Sequence, residues 1–91
     1  QELTTLQDLV LQTKKLYYLL VVNRNAFQIN HQNREIIQKV IDAAMAFYES
    51  GQGNYAEVLK GQIELQTVEE EQLGLTAEKE MIIALINALL N

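Results

Sequence analysis

Apolar residues recur along this chain at helical spacing. They fall at Leu3, Leu6, Val10, Tyr17, Leu20 and Phe27, lapse through Gln28–Glu35, and resume at Ile37, Val40, Ala44 and Phe47. Nothing in this stretch is a strong breaker, which predicts one helix over about Leu3–Glu49, roughly 70 Å long at the α-helical rise. Helices of that length belong to coiled coils or helical repeats rather than to ordinary globular cores. The stop signal is Ser50-Gly51-Gln52-Gly53, where Gly51 suits the left-handed position just past a helix C-terminus. A new start follows at once. Asn54 stands as N-cap with Glu57 three residues later, the spacing of a capping box. In it the Asn54 side chain accepts from the Glu57 backbone N–H, and the Glu57 carboxylate reaches back to the Asn54 N–H.

So short a turn makes the second helix, Tyr55 to about Leu90, antiparallel to the first. This helix carries two apolar stripes. One is Val58, Leu65, Val68, Leu75, Ile82, Ile86 and Leu89; the other is Leu59, Ile63, Leu73, Ala77, Met81, Ala84 and Ala88. A single antiparallel partner covers one stripe, so the other needs a further neighbour. Gly74-Leu75-Thr76 is the one place where the helix could break, with Thr76 capping a restart. The pattern favours continuity, because an isolated Gly is tolerated in a helix at about 1 kcal/mol. Folding about the turn sets residue i opposite about residue 105 − i. The apolar run Leu16–Val22 then faces Ile83–Leu89, and the polar stretch around Arg34 faces Glu71. Residues Gln1 to about Thr13 have no partner within the chain, although Leu3, Leu6, Leu9, Val10 and Leu11 call for burial.

The expected fold is therefore all-α. It is a long antiparallel two-helix coiled-coil hairpin (about 3–49 and 55–90) forming one unit over 1–91 and packing further in an oligomer. Composition agrees: 48% of residues are hydrophobic, with no Pro, no Cys and four Gly. This disfavours disorder and loop-rich or β-rich folds. A two-helix hairpin buries little surface for its length, so the missing contacts are expected from other chains or from sequence outside these residues. Beginning at Gln1 within a polar pattern, the chain reads as a fragment of a larger protein.

The net charge of −5 and the scattered basic residues Lys14, Lys15, Arg24, Arg34, Lys39, Lys60 and Lys79 argue against a nucleic-acid partner. The longest apolar runs, Leu16–Val22 and Met81–Ile86, fall far short of the roughly 20 residues of a membrane span.

The stretch Tyr48-Glu-Ser-Gly51-Gln-Gly-Asn-Tyr-Ala-Glu57-Val58-Leu59 resembles the Y-x-x-G-x(5)-[DE]-V-L turn of TolC-like outer membrane factors. Downstream, Ile83-Ala-Leu-Ile-Asn-Ala-Leu-Leu90-Asn91 is similar to the ALxxLLG ending of a structural repeat in that family, with Asn91 in place of its Gly. Upstream, Lys14-Lys-Leu-Tyr17-Tyr18-Leu-Leu resembles the xxAYYxLL segment of its ascending helix. The likeness extends from about Val10 to Asn91 and looks most like the first of two repeats.

The resemblance implies a trimer in the outer membrane, continued by a helical tunnel across the periplasm, with each repeat supplying a hairpin of the tunnel wall. Its turn, here Ser50, Gly51, Gln52, Gly53, Asn54 and Tyr55, would dock a periplasmic adaptor that links it indirectly to an inner-membrane pump. The exported substrate would be a drug, a metal or a protein. Two rivals share a long hairpin: the α-hairpin of the adaptor itself, and an unrelated coiled-coil scaffold.

No residues point to catalysis, a cofactor or a resident metal. His31 is the only histidine, and without a second His or any Cys it reads as a solvated side chain. Glu69-Glu70-Glu71, with Glu64, Glu78 and Glu80, reads as a solvated face, with a negative tunnel lining as the sharper reading. Tyr17, Tyr18, Phe27, Phe47 and Tyr48 read as core or interface filler. Tyr55, beside the turn, is a candidate partner contact.

Overall fold

The computed structural model describes residues 2–91, with side chains described from Thr5 onward; the side chain of Leu3 lies outside them. Helix α1 spans Glu2–Glu49 and helix α2 spans Tyr55–Leu90. They pack side by side as an antiparallel hairpin measuring 74 × 15 × 14 Å. Both ends of both helices fall within a residue of the boundaries expected from the sequence. α1 runs unbroken through its polar stretch, and α2 runs unbroken through Gly74. The Thr76 hydroxyl donates to the Gln72 carbonyl at 3.0 Å inside the helix instead of capping a restart.

Gly74 faces open space, with nothing near an added Cβ. Gly74→Ala is therefore expected to stabilise the chain by about 0.5–1 kcal/mol, visible as a raised urea midpoint. A lowered midpoint would mean that Gly74 meets something in an assembly.

The turn closes as a Schellman motif. The Gln52 N–H donates to the Phe47 carbonyl at 2.9 Å and the Gly51 N–H to the Tyr48 carbonyl at 3.1 Å. Gly51 sits at φ +81°, a conformation that disfavours any side chain bearing a Cβ. Gly51→Val should cost about 2 kcal/mol in thermal unfolding. An unchanged melting curve would show that the turn can relax into another geometry.

One detail corrects the expected capping box. The Asn54 side chain accepts from the Ala56 N–H at 2.6 Å, while the Glu57 N–H donates to the Asn54 backbone carbonyl at 3.2 Å. The extended Asn54 (φ −119°, ψ 148°) sets its short side chain over the second helical N–H rather than the third. Glu57 stays exposed and does not close the box.

The register follows a reversal centred on Gly51–Gln52. The midpoints of Ile41–Gly61, Arg34–Glu69 and Tyr48–Tyr55 all fall there. This is about a residue before the centre expected from the sequence, so partners lie two or three residues nearer the turn. Gln12 and Leu16 border one open groove with Leu85 and Leu89. The overhang of α1 is accordingly shorter than expected and ends before Gln12.

The seam itself is a heptad array. On α1 it takes Leu9, Leu16, Asn23, Asn30, Ile37 and Ala44 at one position of the repeat, with Thr13, Leu20, Phe27 and Ile41 at the other, all buried or half-buried. On α2 it takes the first expected stripe together with Gly61 and Gln72. Val10, Tyr17, Val40 and Phe47 belong elsewhere, being 45–58% exposed. They sit a step around the helix from the seam, because α1 is apolar on more than one face.

Candidate functional site

The expected docking turn, Ser50–Asn54, is exposed throughout, and so is Tyr55. Its shape is held from beneath. The Phe47 carbonyl accepts from Gln52 N–H, from Gly53 N–H at 3.0 Å and from the Ser50 hydroxyl at 2.9 Å. Tyr55 packs against Tyr48 with ring centroids 5.1 Å apart and planes tilted by 56°. Both rings nevertheless remain nearly half exposed, so Tyr55 braces the tip and presents a face to solvent. Beside the tip, Val40, Ala43, Phe47 and Glu57 border an open groove of about 550 Å³. A groove of this size and openness suits a helix or a loop end better than an enclosed small molecule.

The other sequence candidates spread along the hairpin rather than converging. His31 pairs with Glu35 one turn on, at 3.2 Å, with both side chains more than half exposed. Arg34 meets Glu69 across the hairpin at 3.7 Å, at the surface, which places the polar stretch of α1 opposite the acidic run of α2. Exposed pairs of this kind contribute at most about 1 kcal/mol. Among the described residues no group of three or more acidic, His or Cys side chains is placed to hold a metal ion. No described helix is long and apolar enough to cross a membrane.

Three features escape the sequence pattern. Asn23 and Asn30 are among the most buried residues of the hairpin, 3% and 5% exposed. Asn23 donates to the Leu75 carbonyl at 2.9 Å and Asn30 to the Val68 carbonyl at 3.0 Å. Donors and acceptors are both seven residues apart, so the two bonds repeat on successive heptads. Gly61 is the second feature. An added Cβ there would stand 2.6 Å from Ile41 Cγ1, so its absence lets the helices approach.

The third is an uncovered apolar stripe on α1, beyond the one expected on α2. Of the two α2 stripes, the second is the one left open, with Leu59, Ile63, Leu73 and Met81 45–72% exposed. α1 has a stripe of its own through Val22, Ile29, Ile36, Val40 and Phe47, each 45–59% exposed. Leu6, Val10 and Leu11 are exposed on the overhang. The α1 features were detectable in principle, since stepping by seven from Leu16 to Ile37 passes through Asn23 and Asn30, and from Val22 through Ile29 and Ile36. Polar residues at core positions break the apolar count that a helical pattern relies on. Comparison with protein-family models, with curated proteins and with solved structures finds no match for this chain.

Proposed function

We propose that this hairpin is a wall segment of a helical periplasmic channel, of the kind built by TolC-like outer membrane factors, and that its turn docks a periplasmic adaptor. It works by helix packing and tip recognition, without chemistry of its own. The observation that carries the proposal is the pair of uncovered stripes, one on each helix. By helical geometry the free stripe of α1 lies roughly 100° from its seam, on one side of the hairpin, and that of α2 roughly 170° from its seam, along the back of the helix. They therefore open in different directions. A helix with two seams calls for two neighbours, and a hairpin of such helices suits a continuous wall. The exposed turn with its tyrosine pair supports the second half of the proposal, a rigid tip that a partner can meet end-on.

Sedimentation equilibrium should return a mass above the 10.4 kDa of one chain at micromolar concentration, by association through the open α2 stripe. A chain monomeric throughout would count against the wall. The docking half is tested with a purified α-hairpin of a periplasmic adaptor, titrated by calorimetry against the parent chain, Gly51→Val and Tyr55→Ala. Binding should weaken in both variants; no binding to the parent, or equal binding to all three, would remove the adaptor role.

A further inference from the structure

The free stripe of α1 does not stand alone. It runs along the side of the hairpin on which α2 carries Glu57, Glu64, Glu71 and Glu78, four carboxylates at strict seven-residue spacing. Two contacts fix that side. Glu57 borders the same groove as Val40, Ala43 and Phe47. Glu71 lies 3.4 Å from the amide of Asn30, beside the seam. The heptad repeat carries Glu64 and Glu78 onto the same line. All four are exposed, and among the described residues none of them enters an ion pair. Beside them, from Leu19 to Phe47, every seam-like position of the α1 stripe is apolar except Asn33.

We propose that this face is a docking groove for a helix of different sequence, apolar at heptad spacing and bearing Lys or Arg every seventh residue along the flank that faces α2. The apolar stripe would supply contact area, and the glutamate row would choose the partner and its rotational setting, as flanking charges do in coiled coils. A second copy of this chain is poorly suited to the groove. Its seven basic residues include no two separated by seven, and Arg34 already faces Glu69. Packing α2 of a second copy there would set glutamates against glutamates, which disfavours that pairing. The groove depends only on charge, spacing and contacts within the hairpin and stands whether or not the hairpin belongs to a channel.

The test uses two synthetic four-heptad helical peptides with the same apolar stripe, one flanked by Lys and the other by Glu, followed by fluorescence anisotropy against the 91-residue chain. The Lys peptide should bind at least about tenfold more tightly, with the difference shrinking in high salt. Glu64→Lys combined with Glu78→Lys should reverse the preference. Ile36→Ser should weaken binding, whereas Leu73→Ser, along the back of α2, should leave it unchanged; both residues are exposed, and circular dichroism confirms that each variant folds. Equal binding of the two peptides would overturn the proposal. So would equal damage from Leu73→Ser and Ile36→Ser, which would reveal mere attraction to an acidic surface. Self-association abolished by Ile36→Ser, with no peptide preference, would assign the face to a second copy instead.

Discussion

Gly61→Val is expected to destabilise the hairpin by about 2–3 kcal/mol, the cost of forcing extra methyl groups into a closed seam. Even the Cβ of alanine would lie 2.6 Å from Ile41 Cγ1, 3.5 Å from its Cδ1 and 3.8 Å from its Cβ. Ile41 is 6% exposed, and a β-branched side chain in a helix has one strongly preferred χ1, so it has little freedom to step aside. The helices must separate locally or Ile41 must leave its rotamer. Thermal unfolding followed by circular dichroism reads the effect, at about 4–8 °C per kcal/mol for a chain of this size.

Gly74→Ala serves as the internal control. The two glycines share one helix and the same propensity gain from Ala, about 1 kcal/mol, so opposite signs at the two positions isolate the packing term. Combining Gly61→Ala with Ile41→Ala should cost less than the separate changes together, because the smaller side chain vacates the space the new methyl needs. A Gly61→Ala chain more stable than the parent would show that the helices do not approach this closely.

Asn30→Leu should act in the opposite direction, stabilising the isolated hairpin by about 1–3 kcal/mol. The Asn30 amide gives its N–H to the Val68 carbonyl, but its Oδ1 is buried without a hydrogen-bond partner. A buried polar atom left unsatisfied costs more than one neutral hydrogen bond returns. Leucine removes the orphan and adds apolar area at a seam position. Val68 loses only a second donor to a carbonyl that already serves the helix. The expected cost is specificity, since a polar residue at a core position marks one seam as different from the others. With Asn23 and Asn30 both replaced by Leu, the inner seam would come to resemble the free stripes. Sedimentation should then show mixed oligomers in place of a defined one. A loss of stability in Asn30→Leu would mean that the bond to Val68 outweighs the orphaned oxygen.

Much of this architecture was legible in the sequence because the relevant signals are local. Gly51 and Asn54 set the turn through their own backbone and side-chain preferences, and the spacing of Val58, Val68, Ile82 and Ile86 marked one of two candidate seams of α2, the one the fold buries. The seam of α1 was not legible in the same way. Apolar residues at Val10, Tyr17, Val40 and Phe47 belong to outer faces, while two core positions hold asparagine. A count of apolar positions therefore blends faces that the folded helix separates. The candidate tip was legible as a turn, but not the packing of Tyr55 on Tyr48, which depends on bringing residues from two helices together.

By itself the sequence determined that two long helices form, where each begins and ends, and that more apolar surface is present than one hairpin can cover. Those are consequences of propensity, capping and spacing, each acting within a few residues. Only the tertiary structure decided which stripe of α1 faces inward, that the helices close onto Gly61, and that Asn23 and Asn30 are buried while Val22, Ile29 and Ile36 are not. Those choices depend on which residues meet across the hairpin, and a shift of one or two residues in the reversal would turn different side chains inward.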